Sequence, residues 1–146
     1  MLDKSDWAAL IPHAGTMCLL DAVRAWDATT IHAISASHAR PDNPLRSAGR
    51  LHAVHLAEYG AQAMAVHGAL LARAQGDEVM RPGMLVSLRE VKLTEEYVDM
   101  LAGHLDVHAE CLHADDGGAH YAFRVEHHGR LLASGRAAVI HPRLSH

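Results

Sequence analysis

The stretch LAEYGAQAMAVHGALLARA, Leu56 to Ala74, is rich in alanine and carries no formal charge between Glu58 and Arg73. A lone carboxyl in apolar surroundings is a group that could do chemistry. Desolvation disfavours its charged form, so it can hold a proton near neutral pH and pass it to a poor leaving group. Gln62 follows one turn later on the same side, a spacing that suits an amide orienting the acid rather than reacting itself. The competing reading of Glu58 is structural, since an acid at the solvated start of a helix is favoured by the macrodipole. The natural base beside such an acid is histidine, whose ordinary pKa lies nearest neutrality, but the chain has 14 and none is informative by type alone. His52, His55 and Glu58 are spaced i, i+3, i+6, unlike the i, i+4 pair of zinc-binding helices, and His104 and His108 on one strand face would stand about 13 Å apart, so no metal site is expected.

The elements that must position these groups follow from periodicity. A long helix is expected from near Leu51 to Gln75, stopped by Gly76, spanning about 35 Å and apolar around most of its circumference, as for a helix wrapped by other structure. Before it, Asp6–Leu10 reads as a short helix with Asp6 as its cap, Pro12 and Gly15 as a turn, and the later part of MCLLDAVRAWD as a strand. TTIHAISASH is a second strand with Ile31, Ala33 and Ser35 on one face, joined to the first by a hairpin at Asp27 and Ala28. ARPDNPLRSAGR is a loop. After Gly83 come four strands. MLVSLREVKL is expected to place Leu85, Ser87, Arg89 and Val91 on one side, and GHLDVHAECLH to place Leu105, Val107, Ala109 and Cys111 opposite His104, Asp106, His108 and Glu110. AHYAFRVEH and LLASGRAAVI complete the set, with turns at Asp115–Gly118 and His128–Arg130. This order, with short turns in the second half, is an α+β arrangement in which an antiparallel sheet wraps one central helix.

Composition bounds the function. A chain of 146 residues, 49% hydrophobic and 21% charged, is expected to be one globular domain over 1–146. A net charge of −4, with no basic run, gives no reason to expect nucleic acid as partner. Glu58, Gln62 and His67 interrupt the long helix, so no membrane span is expected. Cys18 and Cys111 form no CxxC pair and read as small buried residues in a reducing compartment. The N-terminal stretch carries Asp3 and Asp6 and lacks the apolar run of a secretory signal, so a cytoplasmic location is expected.

The pattern Glu58-x-x-Ala61-Gln62 resembles the E-A-x-A-Q helix of the 3-hydroxyacyl-[acyl carrier protein] dehydratases, and IPHAGTMCLLDAV, Ile11 to Val23, resembles their N-terminal segment. With DNPLRSAGRL, Asp42 to Leu51, the chain is most similar to the dehydratase-like proteins of aryl-polyene biosynthetic clusters. The resemblance implies the hot-dog fold, a dimer joined edge to edge, and active sites at the interface with an acid from one chain and a histidine from the other. It implies loss of water from a 3-hydroxyacyl thioester to give the trans-2-enoyl product, in fatty acid or aryl-polyene-type lipid synthesis. The acyl group would be carried by an acyl carrier protein or CoA, with no cofactor and no metal. Backbone N–H groups at the helix start would polarise the thioester oxygen.

By the resemblance Glu58 is the acid. The family's histidine triplet Gly-His-Phe is replaced here by Gly49-Arg50-Leu51, and arginine cannot act as a base. Gly49, Arg50, Leu51 and Gln62 are therefore taken as substrate-binding, with Arg50 suited to a phosphate or a carrier protein. His13 and His38 are the first candidates for a replacement base, with His52 and His55 behind them. Two alternatives stay open. One is a catalytically incomplete subunit that pairs with a related hot-dog subunit rather than with itself; the other is a thioesterase, whose helix carboxylate would activate water.

Overall fold

The computed structural model describes residues 1–10, 15–76 and 84–140. The alternating segments become the strands β1 (Leu2–Asp3), β2 (Ala22–Trp26), β3 (Thr30–Ser35), β4 (Met84–Leu93), β5 (Leu105–Asp115), β6 (Gly118–His127) and β7 (Arg130–Ile140). They form one antiparallel sheet in the order β1-β2-β3-β5-β6-β7-β4. The short helix α1 (Lys4–Trp7) follows β1, and α2 (Leu56–Ala74), 19 residues long, packs on β3, β5, β6 and β7. This is the hot-dog fold.

The inner face of the sheet is built by the alternation expected of it. Ile31, Ala33 and Ser35 of β3, Leu105, Val107 and Ala109 of β5, and Tyr121, Phe123 and Val125 of β6 are all buried. Two glycines let α2 approach this face closely. A Cβ on Gly60 of α2 would lie 2.6 Å from the ring of Phe123, and one on Gly135 of β7 would lie 2.8 Å from the same ring. The single phenylalanine of the chain therefore fills a slot between helix and strand that any larger residue at either position would close.

Three sequence expectations are corrected. The cap of α1 is Asp3, whose side chain accepts from the Ser5 N–H, while Asp6 closes the capping box by accepting from the Asp3 N–H at 2.9 Å. The long helix starts at Leu56, not near Leu51. The Leu51 carbonyl accepts from the Val98 N–H at 3.0 Å, His52 caps a tight turn over Ala53–His55, and this tertiary pairing overrides helical composition. In β4, Ser87 and Arg89 share the outer face with Arg136, but Leu85 and Val91 lie on the inner side. Bulges at Val86 and at Glu90–Val91 break the alternation, and Glu90 takes a φ of 56°.

Just past the middle of α2, His67 is fully buried. Its Nε2–H donates to the Asp27 carbonyl at 2.8 Å, which leaves Nδ1 to accept from the Tyr121 hydroxyl at 2.7 Å. Burial pushes the pKa of His67 down, and that of His38 down likewise. A depressed histidine pKa means that the unfolded chain binds the extra proton first. The stability these residues supply is complete above the ordinary histidine value and is lost as the pH falls below it toward their folded values. The melting temperature should therefore drop between about pH 6.5 and about pH 5, above the range where carboxylates titrate. A melting temperature flat across that interval in a calorimetric series would contradict both burials.

Candidate functional site

Glu58 lies in the first turn of α2, half-buried. Gly60 and His67, which pack on Phe123 and Tyr121, sit on the opposite side of the helix at 100° per residue. Glu58 therefore points away from its own sheet.

Gln62 is fully buried and spends every polar atom on the N-terminal segment and on Glu58. Its Oε1 accepts from the Leu19 N–H at 2.9 Å, and its Nε2 donates to the Met17 carbonyl at 2.7 Å and to Glu58 Oε1 at 3.4 Å. The amide is thus held on both sides and reaches the acid from a fixed position. The Leu19 carbonyl accepts in turn from Ser35 Oγ at 2.5 Å.

A directed chain of hydrogen bonds extends from there. Asn43 Nδ2 donates to the Tyr59 hydroxyl at 3.0 Å, Tyr59 to Ser37 Oγ at 2.7 Å, and Ser37 to Ser35 Oγ at 2.9 Å. Because the acceptor at its end is a carbonyl, only this direction satisfies every hydroxyl. Burial pushes the Tyr59 phenol up, so it stays protonated as the chain requires. Tyr59, Ser35, Ser37 and Asn43 are all buried, and composition and periodicity alone do not identify them as a unit.

Gly49, Arg50 and Leu51 form a second group. Ser47 and Arg50 exchange backbone hydrogen bonds across a two-residue turn in which Ala48 has a φ of 52° and Gly49 of 75°. The turn delivers Arg50 to Asp99. The Arg50 Nε donates to both Asp99 oxygens at 3.1 Å, its guanidinium carbon stands 4.2 Å from the centre of the Tyr97 ring, and the Leu51 N–H donates to Asp99 Oδ1 at 3.1 Å. Burial works to raise the Asp99 pKa, but the Leu51 N–H and the Arg50 guanidinium outweigh it and hold the carboxyl below its usual range. Asp99 has no local sequence signal, because it reaches the turn from the connection between β4 and β5.

Of the histidines singled out, His13 lies outside the described residues. His38 is fully buried. Its Nε2–H donates to the Leu101 carbonyl at 2.8 Å, and Nδ1 has no hydrogen-bond partner among the described residues. His52 Nδ1 accepts from the Val54 N–H at 3.0 Å. The amides at the helix start are also engaged: that of Ala53 donates to the Glu96 carbonyl, that of His55 to the His52 carbonyl, and that of Leu56 within the same turn. They are not free to polarise a thioester oxygen. No cluster of metal-ligating side chains occurs among the described residues, and no helix among them is long and apolar enough to cross a membrane.

Replacing Gln62 by leucine keeps its volume but leaves the Leu19 N–H and the Met17 carbonyl buried without partners. Each such orphan costs about 1–3 kcal/mol. Gln62→Leu should therefore lower unfolding free energy by at least ~2 kcal/mol in urea titration. A variant as stable as the parent would show that the amide does not tie the segment to α2.

A family model described as ApeP-like, ApeP dehydratase, matches residues 5–146. No curated protein matches the chain. Among solved structures, the dehydratase heterocomplex ApeI:P from Xenorhabdus doucetiae is similar over 92% of this chain and 89% of that one, at 22% identity and a TM-score of 0.83. AziG of S. sahachiroi aligns over 84% and 90%, at 21% identity and a TM-score of 0.57. Thioesterase superfamily member 2 of Mus musculus aligns over 82% and 80%, at 14% identity and a TM-score of 0.59.

Proposed function

This chain belongs to the ApeP-like dehydratase family, and from that membership and the surroundings of Glu58 we propose that it is one subunit of a 3-hydroxyacyl thioester dehydratase, with Glu58 as proton donor. The histidine base comes from a related hot-dog subunit. The acyl group is carried as a thioester on an acyl carrier protein or CoA, in fatty acid or aryl-polyene-type synthesis.

The observation that carries the reading is the contrast between the two halves of the motif. The acid is present and has a buried amide in contact with it. At the place of the histidine stands Arg50, whose charge is matched by Asp99 and whose ring partner is Tyr97. A guanidinium cannot take a proton. Only its Nε is engaged by the carboxylate, so its remaining N–H donors suit the phosphate- or carrier-binding role expected from sequence.

In the proposed reaction the thioester carbonyl acidifies the C2–H bond. The partner's histidine takes that proton, the electron pair forms the C2=C3 double bond, and the C3 hydroxyl leaves as water with the proton of Glu58. The two enzyme groups end with their protons exchanged, and return to the starting state through solvent. Gln62 holds the Glu58 carboxyl by donating to one of its oxygens.

Glu58→Gln keeps size and hydrogen bonding but removes the acidic proton. With the related subunit present, turnover of a 3-hydroxyacyl thioester, read as loss of water by mass spectrometry, should fall at least ~10²-fold. Full activity in that variant would remove Glu58 from the reaction. The chain alone should be inactive and gain activity on adding the related subunit. Activity of the chain alone that is abolished by His13→Ala would instead assign the base to its own N-terminal segment.

A further inference from the structure

On its inner side β4 carries the apolar row Leu85, Leu88, Val91 and Leu93, and on its outer side the same strand is polar and cationic. Ser87 and Arg89 are the outward residues of a short regular stretch bracketed by bulges at Val86 and at Glu90–Val91. A third bulge, at Leu112 of β5, faces them from beyond β6 and β7. Bulges re-aim side chains and gather beside active and binding sites. Glu90 takes a φ of 56°, uncommon for a residue with a side chain. Such outliers cluster at sites that hold ligands.

The side chains between these bulges converge. Arg89 stands directly opposite Arg136 of β7. On the next rung Ala138 has Ser87 on one side and His120 of β6 on the other. The small Ala138 methyl leaves the middle of that rung open. Ser87, Arg89, His120 and Arg136 line a depression of about 40 Å³, with Leu112 as its apolar wall. A single water needs about 10–15 Å³ on this measure. The space fits one phosphoryl group and is too small to bury a ring.

The charges in it are unbalanced. No carboxylate lines the depression. Glu90 engages the Nε of Arg136 at 3.2 Å, so the terminal amino groups of that guanidinium remain as donors. Arg89 makes no ion pair among the described residues. On the same face Arg124, by contrast, is matched by Glu126 at 3.3 Å. Like charges directly opposite one another across strands repel, and a dianion between the two guanidiniums turns that cost into attraction. The planar fork of arginine suits phosphoryl oxygens, and a hydroxyl and an imidazole add further donors.

We infer that Ser87, Arg89, His120 and Arg136 form a binding site for a single phosphoryl group, carried as inorganic phosphate or at the end of a phosphate monoester. The inference is independent of the reaction proposed above, because the sheet stands between this site and α2. A strand added at the edge of β4 would extend the sheet in its own plane and leave this face open.

The test is calorimetric titration of the full-length protein in low salt with inorganic phosphate, phenyl phosphate and, at matched ionic strength, acetate. Phosphate should bind once per chain in the millimolar range or tighter, and acetate at least tenfold more weakly. Phenyl phosphate, whose ring would project into solvent, tells the two sources apart. Binding as tight as that of phosphate assigns a monoester, and binding at least tenfold weaker assigns the free ion. Arg89→Ser should weaken phosphate at least tenfold. Lys92→Ser, which removes a cation of the same strand outside the depression, should change it less than twofold. Phosphate should also raise the melting temperature of the parent and of Lys92→Ser, but not of Arg89→Ser. If Arg89→Ser does not fold, His120→Ala decides in its place, with an expected loss of at least threefold. Equal losses in Arg89→Ser and Lys92→Ser would reduce the site to diffuse surface charge and overturn the inference. So would acetate binding as tightly as phosphate, or no binding at tens of millimolar phosphate.

Discussion

Both backbone polar groups of Leu19 are taken by buried side chains from elsewhere in the fold, the N–H by Gln62 and the carbonyl by Ser35. Much else depends on this clamp. An orphaned buried amide or carbonyl costs about 1–3 kcal/mol, so the N-terminal segment cannot slide along α2 without losing several such terms at once. Ser35 is the end of the chain that runs back through Ser37 and Tyr59 to Asn43. The first turn of α2, the loop before it and the segment before β2 are thereby one polar unit inside an apolar core. Such a unit is stable only when every member is satisfied. Here each hydroxyl has one direction in which to donate, and that makes the position of the Glu58 turn specific rather than merely compact.

What could be read from the sequence depended on range. The inner faces of β3, β5 and β6 were legible because strand pairing there keeps period two through the buried positions. The Glu58–Gln62 pair was legible because both residues lie on one helix face. The start of α2 was not, because Leu51 and His52 have helical neighbours in sequence but are drawn into pairing with Tyr97 and Val98, more than forty residues away. The faces of β4 were misread for a related reason. MLVSLREVKL alternates on paper, and the bulges that shift its register arise from its pairing with β7. Asp99 was invisible for the same cause: a lone acid in a connecting segment has no pattern until the fold brings Arg50 to it. TTIHAISASH reads as a strand through His38, but β3 ends at Ser35 and His38 lies in a tight turn over Ser37–Ala39, fully buried.

Arg50, which stands where the resemblance puts a histidine, has a structural task of its own. A histidine there would need an unpaired ring nitrogen facing substrate. Arg50 is instead stacked on Tyr97, and its partner Asp99 also holds the Leu51 N–H. Arg50 fastens the loop before α2, which the neighbouring positive-φ turn at Ala48 and Gly49 makes sharp. A loop fastened in this way holds the start of α2 in place, and so supports Glu58 indirectly while contributing nothing that can abstract a proton.

The direction of Glu58 then bears on where the rest of a proposed active site would lie. Its side of α2 is opposite the one packed on Phe123 and Tyr121, so this chain's own sheet cannot be what encloses it. A carboxyl acts as a general acid at neutral pH when water is kept from it, and Glu58 is only half-buried in the single chain. The apolar row of β4 is incompletely covered as well. Both surfaces call for apolar cover, and a second hot-dog subunit docked along β4 would carry its own sheet and helix past that edge. On that reading the features that look unfinished in one subunit, an acid facing outward, a missing base and an exposed apolar edge, share one cause: the site is divided between two chains.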